Sequence, residues 1–115
     1  MSPARSAAAK ALAGAAPVFA ALGDETRLRL VARLCADGPL SVTRLGAGVP
    51  VTRQAVSKHL RALAAAGLVQ VSRRGRERIV ELDPRRLAEA RRSLERISDQ
   101  WDAAIGRLKA FVERG

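Results

Sequence analysis

The chain has 115 residues, a formal net charge of +10 and an apolar fraction of 48%. This length favours a single domain with one buried core, and the apolar fraction excludes a disordered chain. No apolar run reaches the roughly 18 residues that span a bilayer, and the alanine-rich N-terminus is too weakly hydrophobic for a secretory signal. The single cysteine excludes an internal disulfide. We therefore expect a cytoplasmic protein with no membrane partner, and the charge indicates a polyanion such as nucleic acid.

The N-terminal third predicts two helical segments. Residues 1–16 are small and alanine-rich, which is typical of a frayed helix or a disordered arm. Pro17 then begins a short helix that Gly23 interrupts, and Asp24 is a good N-cap for the next helix. Four residues recur in that helix at helical spacing: Leu28, Val31, Ala32 and Cys35. Because Cys35 falls on this apolar stripe, we predict a buried, inert thiol rather than a redox switch.

The next segment predicts two short helices joined by a tight turn. Asp37-Gly38-Pro39 stops the preceding helix, and Ser41 caps a helix of two turns. The short loop from Gly46 to Pro50 then leads directly into a basic helix. Two short helices with a glycine-containing turn, the second of them basic, form a helix-turn-helix.

The basic helix is predicted over residues 52–67. Thr52 is its N-cap, and Val51 and Val56 have the spacing of a hydrophobic staple. Gly67 ends the helix in the position after the C-cap, where a left-handed backbone is usual. Three residues at helical spacing form its buried stripe: Val56, Leu60 and Leu63.

The open side of the same helix is rich in hydrogen-bond donors, as contacts with DNA bases and phosphates require. This surface comprises Thr52, Arg53, Gln54, Ser57, Lys58 and Arg61, with His59 near its border. We expect Arg53 and Gln54 to read base edges and Arg61 to contact a phosphate, whereas Ser57 and Lys58 suit either target. His59 is explained equally well by a DNA contact and by a structural hydrogen bond across the turn.

After Gly67 the periodicity changes from 3.6 to about 2, which predicts strands over residues 68–72 and 78–82. Gly75 supplies a positive φ at the tip between them. The hairpin is strongly basic and carries Arg73, Arg74, Arg76 and Arg78. Such a hairpin after a helix-turn-helix is a wing. Its arginines either enter a narrow minor groove or neutralise phosphates, and we prefer phosphate for Arg73 and Arg78.

Asp83 and Pro84 begin the last helix as its N-cap and first residue. Apolar residues then repeat every seven positions in two series: Leu87, Leu94, Trp101 and Leu108, interleaved with Ala90, Ile97, Ala104 and Phe111. This is the a/d seam of a coiled coil. A helix from Pro84 to Arg114 would measure about 46 Å, which is longer than one small domain can cover. The simplest partner is the same helix of a second subunit, so we predict a homodimer. Trp101 suits the dimer core better than a ligand pocket.

These elements together predict a mainly α fold with a two-stranded β-hairpin. Their order, α-α-α-α-β-β-α, is that of a winged helix-turn-helix. We divide the chain into an N-terminal arm over residues 1–16, a winged helix-turn-helix DNA-binding domain over residues 17–83, and a dimerisation helix over residues 84–115.

Four segments carry a resemblance to a known family: LGDETRLRL over residues 22–30, TRQAVSKHL over residues 52–60, LAAAGL over residues 63–68, and the basic wing. Residues 19–82 thereby resemble the ArsR family of winged-helix bacterial regulators. The resemblance implies a homodimer formed by the first and last helices. It also implies binding to an imperfect inverted repeat in double-stranded DNA, usually as a repressor. Residues 101–111 are similar to a subgroup with an extended C-terminal helix and no metal site.

The metal-binding residues of the family's metal sensors are not found at the corresponding positions of this sequence. Metal sensors of the ArsR family often have Cys-Val-Cys in the helix before the recognition helix, whereas this chain has Ser41-Val42-Thr43 and offers no thiolate. Other members bind zinc through Asp and His on the last helix, which here lacks histidine. We therefore expect no metal site and no cofactor.

The sequence thus predicts a dimeric, sequence-specific transcriptional repressor that acts on an inverted-repeat operator. One alternative is a sensor of the same fold that responds to an unknown small-molecule effector, or to oxidants through Cys35. Another is a winged-helix module that binds RNA or a protein. One histidine, one cysteine and no catalytic motif argue against an enzyme.

Overall fold

The computed structural model describes the backbone of residues 3–114, with the side chains of residue 7 and residues 9–114. Residues 1, 2 and 115 of the predicted arm and last helix lie outside the described residues. The described elements are α1 (Pro3–Leu22), α2 (Glu25–Asp37), β1 (Leu40–Ser41), α3 (Val42–Gly46), α4 (Arg53–Ala65), β2 (Val69–Arg74), β3 (Glu77–Leu82) and α5 (Pro84–Arg114). No helix in this part of the chain combines the length and the apolarity needed to cross a bilayer.

The winged helix-turn-helix is confirmed, and its sheet has one strand more than the predicted hairpin. β2 and β3 pair antiparallel from Val69 opposite Leu82 to Arg74 opposite Glu77. β1 pairs with the other edge of β3, with Leu40 opposite Val80, so the strand order is β1-β3-β2. A strand of two residues has no periodicity of its own. It forms because β3 offers its free edge to the backbone that precedes α3.

The prediction that a helix begins at Pro17 is wrong, because α1 continues without interruption from Pro3. Alanine has the highest helix propensity and dominates residues 7–16, so this segment favours helix. Proline removes one backbone hydrogen bond, and tertiary packing offsets part of that cost. Ala15 and Val18 are buried on either side of Pro17. The segment predicted as an arm is therefore the N-terminal half of α1 from residue 3 onward.

The capping of α2 is confirmed, whereas its predicted apolar stripe is correct only at Val31. Asp24 Oδ2 accepts a hydrogen bond from Arg27 N at 3.0 Å. The buried face consists of Leu30, Val31 and Leu34, while Leu28 is 49% exposed and Cys35 is exposed. Leu28 and Leu30 lie roughly 200° apart around a helix, so only one of them can face the core. The buried thiol predicted for Cys35 is therefore also wrong.

The core lies between α2, α3, α4 and the sheet. Its fully buried side chains come from all of these elements: Leu30, Leu45, Val56, Leu63, Leu68 and Val80. Burial of each such aliphatic side chain stabilises the fold by roughly 1.5–3 kcal/mol. Gly67 has φ +76°, and Leu68 N donates to Leu63 O at 3.0 Å, so α4 ends in a Schellman motif as its sequence predicts. This motif turns the chain from α4 directly into the wing.

The last helix has 31 residues and begins at Pro84. Its N-terminal half packs along α1 and buries Ala90 and Ser93. Its C-terminal half extends beyond the core, and the molecule measures 67 × 29 × 21 Å. The radius of gyration is 18.8 Å, against about 13 Å for a compact domain of this size. The protruding half of α5 therefore presents a surface that the described side chains of the chain do not cover.

Candidate nucleic-acid interface

The recognition helix α4 has one buried and one open face. Val56, Leu60 and Leu63 are buried, as predicted. Thr52 Oγ1 accepts a hydrogen bond from Ala55 N at 3.1 Å and fixes the first turn of the helix. The remaining side chains of the predicted DNA-binding set on α4 are exposed or half-exposed: Arg53, Gln54, Ser57, Lys58 and Arg61. The arrangement leaves the N-terminal half of α4 free to approach a polyanion.

The wing brings a second group of cations toward the same surface. Arg73, Arg74, Arg76 and Arg78 are all exposed on the hairpin, and Gly75 has φ +64° at its tip. Arg74 stands opposite Glu77, so only Gly75 and Arg76 form the loop. The hairpin tip is therefore tighter than predicted, because the two strands extend to residue 74 and from residue 77 instead of ending at residue 72 and beginning at residue 78.

A groove of about 200 Å³ joins the recognition helix to the wing. Arg53 and Ser57 of α4 line one side, and Arg76 and Arg78 of the hairpin line the other. One acidic side chain, Glu77, is also present. Three guanidinium groups against one carboxylate make this groove cationic. Its size and charge suit a phosphate group of a nucleic acid backbone.

Sequence reasoning missed Thr43 as a member of this groove. Its side chain is exposed on α3 and lines the cavity next to Arg53. In the sequence, Thr43 stands out only as a position where metal sensors of the family have cysteine. The first helix of a helix-turn-helix crosses the DNA backbone, and this geometry is the signal that points to Thr43.

His59 lies apart from the open face. Its side chain is 21% exposed, and its Nδ1 is 3.3 Å from Arg27 Nη1 and 3.9 Å from Asp24 Oδ2. The ring therefore faces the start of α2. This geometry agrees with the structural alternative for His59 and gives no support to its inclusion among the DNA contacts.

Two aspartates next to these elements have lowered pKa values. The pKa of Asp24 lies below its ordinary value chiefly because Arg27 N donates to its carboxylate. The pKa of Asp83 is lowered further by the Arg85 guanidinium and by Arg85 N, both of which donate to it. Gln70 Nε2 also donates to Asp83 Oδ2 at 3.1 Å and thereby joins β2 to the start of α5. Both carboxylates are ionised at neutral pH and hold helix N-termini in place.

The predicted dimer seam divides into two parts. Leu87 packs against the core of its own chain and Ala90 is buried there, so the first heptad is intramolecular. Ile97 and Ala104 are half-buried. The large apolar side chains of α5 that are exposed are Leu94, Trp101, Ile105, Leu108, Phe111 and Val112. We call these six residues the α5 stripe. Trp101 is 66% and Phe111 69% exposed, and Ile105 and Val112 widen the stripe beyond the predicted a and d positions.

The described residues contain no group of three or more His, Cys, Asp or Glu side chains placed to hold a metal ion. Thr43 lines the groove described above, and Ser41 Oγ accepts from Arg44 N at 3.2 Å as the N-cap of α3. The Ser41 hydroxyl therefore caps α3, and the Thr43 side chain forms part of the groove surface.

Comparison with known proteins identifies the family. A family of helix-turn-helix domains matches residues 22–72. The HTH-type transcriptional regulator Rv2034 of Mycobacterium tuberculosis is 45% identical over 85 residues, which cover 74% of this chain and 76% of the relative. An ArsR-like transcriptional regulator from Rhodococcus sp. RHA1 is 40% identical, with a TM-score of 0.73 over 87% of this chain and 93% of that chain. The chain belongs to the ArsR family.

A second solved structure of the family agrees. A possible transcriptional regulator for arsenical resistance is 38% identical, with a TM-score of 0.65 over 76% of this chain and 91% of that chain. The protein is therefore an ArsR-family transcriptional regulator with a helix-turn-helix DNA-binding domain. The resemblance inferred from residues 19–82 is confirmed, and the family domain contains α4 and the first part of the wing.

Proposed function

We propose that the protein is a homodimeric, sequence-specific repressor that binds an inverted-repeat operator. Each subunit places α4 in a major groove and its wing on the adjacent backbone. Arg53 and Gln54 read base edges, while Lys58, Arg61 and the wing arginines contact phosphates. The observation that carries this proposal is the cationic groove in which Arg53 of α4 faces Arg76 and Arg78 of the wing.

The α5 stripe supports the dimer. Soluble monomers rarely expose large contiguous apolar patches, and such patches mark interaction sites. The stripe extends over 19 residues of helix, from Leu94 to Val112, or about 27 Å, and lies on the part of α5 that leaves the core. A second copy of the same helix supplies an apolar surface of equal length under two-fold symmetry. The dimer also doubles the number of recognition helices, as an inverted repeat requires.

The test is equilibrium binding to the DNA upstream of the protein's own gene. Fluorescence anisotropy at a fixed, moderate salt concentration compares this DNA with a scrambled sequence of equal length, because non-specific binding depends steeply on salt. We expect the native sequence to bind at least about 10³ times more tightly. Footprinting on the same fragment should reveal two half-sites about one helical turn apart. Equal affinity for both sequences would remove the proposal.

The direction of regulation needs its own measurement. In vitro transcription from the footprinted promoter should fall as the protein is added, if the protein acts as a repressor. A rise in transcript would leave specific binding intact and replace repression with activation.

A further inference from the structure

One arginine connects three helices of the molecule. Arg27 lies in the first turn of α2, and its Nε donates to Ala21 O at 2.6 Å. Its Nη2 is 3.5 Å from Ala20 O, so the guanidinium caps the last turn of α1. Its Nη1 is 3.3 Å from His59 Nδ1 on α4, across 32 positions of sequence. A single side chain thus joins the C-terminus of α1 to the recognition helix.

The chemistry of this junction favours arginine. A guanidinium has donors only, so in its hydrogen bond with Arg27 the Nδ1 atom of His59 is the acceptor. The planar fork directs its donors at fixed angles, and these reach α1 and α4 at the same time. A lysine ammonium at position 27 would be a point charge on a flexible stem and would not hold both partners in one geometry.

Beside the junction, the surfaces of α1 and α4 are only loosely packed against each other. A shallow groove of about 380 Å³ separates α1 from α4. Apart from Arg27 and Pro17, only alanines line it: Ala20, Ala21, Ala62, Ala65 and Ala66. Methyl side chains do not interdigitate across such a gap, so they set the angle between two helices poorly. Val18 of α1 and Leu63 of α4 are buried in the common core, and the hydrogen bonds of Arg27 add a directional contact at its edge.

The position of α1 connects this junction to the proposed dimer. α1 packs along α5, which carries the α5 stripe, and α4 carries the proposed DNA contacts. The angle between α4 and the α1–α5 pair therefore decides how far apart two recognition helices lie in a dimer. We propose that Arg27 is a positioning residue that sets this angle and thereby the spacing of the two half-sites that the dimer accepts. This inference rests on the proposed function.

The test compares Arg27→Gln with Arg29→Gln. Arg29 lies on the same helix and pairs with Glu25 in solvent, so the control removes the same charge without touching the junction. Both variants are titrated with the native operator and with operators whose half-site spacing is one or two base pairs shorter or longer. Sedimentation and thermal unfolding of each variant report dimerisation and folding.

We expect Arg27→Gln to lose roughly tenfold in affinity at the native spacing, while its preference for that spacing over the altered ones weakens. The dimerisation constant and the salt dependence of binding to scrambled DNA should not change, because no phosphate contact is lost. Arg29→Gln should behave as the parent protein. An equal loss at every spacing would overturn the inference and leave Arg27 a structural role only. Failure of the parent protein to prefer its operator would instead refute the proposed function.

His59 provides an independent check if Arg27→Gln folds poorly. His59→Leu removes the acceptor, whereas His59→Gln retains one. We expect His59→Leu to broaden the spacing preference and His59→Gln to restore part of it. The double variant Arg27→Gln/His59→Leu should be no worse than Arg27→Gln alone, since the Arg27 substitution already removes the hydrogen bond to His59. Fully additive losses would refute the link between Arg27 and α4.

Discussion

The two glycines that flank the start and the tip of the wing differ in whether their surroundings have space for a larger side chain. Gly67 and Gly75 both have a positive φ, at +76° and +64°. A Cβ at position 67 would lie 2.7 Å from Arg86 Cγ, whereas a Cβ at position 75 would meet nothing within 4 Å. The first glycine is therefore required by backbone and space, the second by backbone alone.

This difference predicts unequal effects of alanine at the two positions. Gly75→Ala should destabilise the fold by about 1 kcal/mol, the cost of a left-handed alanine. Gly67→Ala should cost roughly 2–3 kcal/mol, because Arg86 must also move. Urea unfolding at fixed protein concentration measures both, since the proposed dimerisation would make apparent stability concentration-dependent. Equal losses would mean that the contact with Arg86 relaxes at no cost.

A second residue-scale prediction concerns acid. Asp83 is 10% exposed and accepts hydrogen bonds from Gln70 Nε2 and Arg85 Nη2, the latter at 2.9 Å. Its pKa in the folded state lies well below its ordinary value, chiefly because the Arg85 guanidinium donates to it. A depressed folded-state pKa stabilises the protein above the unfolded value of about 4 and stops doing so as pH falls toward the folded value.

We therefore expect Asp83→Asn to lower stability at pH 7 and to reduce the loss of stability between pH 4 and pH 2. Thermal unfolding across this range measures the effect. Asp102→Asn, which removes an exposed carboxylate from α5, serves as the control and should leave the acid profile unchanged. A parent-like acid profile for Asp83→Asn would show that other carboxylates cause the acid sensitivity.

At the scale of elements, the recognition helix and the wing should affect DNA binding differently. Arg53→Ala removes a proposed base contact and should cost the native operator roughly tenfold in affinity, with weaker discrimination against scrambled DNA. Arg78→Ala removes a proposed phosphate contact. It should weaken both sequences alike and reduce the slope of log affinity against log salt by about 1. Anisotropy titrations at three salt concentrations separate the two behaviours.

The matched control for both variants is Arg91→Ala. Arg91 is exposed on α5 and pairs with Glu95 at 3.1 Å, away from the groove. Its removal changes the net charge equally and should leave affinity and salt slope nearly unchanged. If Arg91→Ala lowers affinity as much as Arg78→Ala does, the wing contributes only long-range charge.

Elements could be predicted from the sequence where their signals are local. Asp24, Ser41 and Thr52 cap helices as predicted because a cap needs only a side chain and the amide three residues later. β1 and the buried face of α2 were missed because both depend on distant partners. Leu40 becomes a strand residue only where Val80 passes beside it. The contact between Arg27 and His59 spans two helices and has no local pattern at all.

In the candidate site, too, features with a local sequence signal could be predicted and features that depend on tertiary contacts could not. The donor-rich face of α4 and the arginines of the wing are readable because charge and helical period are properties of short segments. That Thr43 lines the groove, and that the His59 ring lies apart from the open face of α4, depends only on the tertiary structure. The seven-residue repeat correctly predicts a long last helix. It does not indicate which partner covers each turn, and Leu87 packs against its own chain.

At the scale of the whole molecule, the core closes without the C-terminal half of α5. Ala90 is the last apolar residue of α5 that is buried in the core cluster. If Trp101 and Leu108 occupy a positions of the heptads, the e positions that follow them are Ile105 and Val112. Both of these residues are apolar. An a/d/e face is wider than the seam of a two-stranded coiled coil and is typical of helices that pack against two neighbours. The proposed dimer therefore fits a bundle of helices better than an isolated pair of helices.

The exposure of the α5 stripe allows dimerisation to be separated from folding. Leu108→Glu places a charge in the middle of the stripe, where the side chain is 62% exposed in a single chain. We expect this variant to sediment as a monomer with an intact secondary structure, since the core does not use Leu108. Loss of the second half-site should lower operator affinity by at least about 100-fold, because two linked contacts bind far more tightly than one. Ala110→Glu adds the same charge to the opposite face and should remain dimeric. A dimeric Leu108→Glu would mean that the subunits meet through another surface, and the two-fold arrangement of α5 would then have to be abandoned.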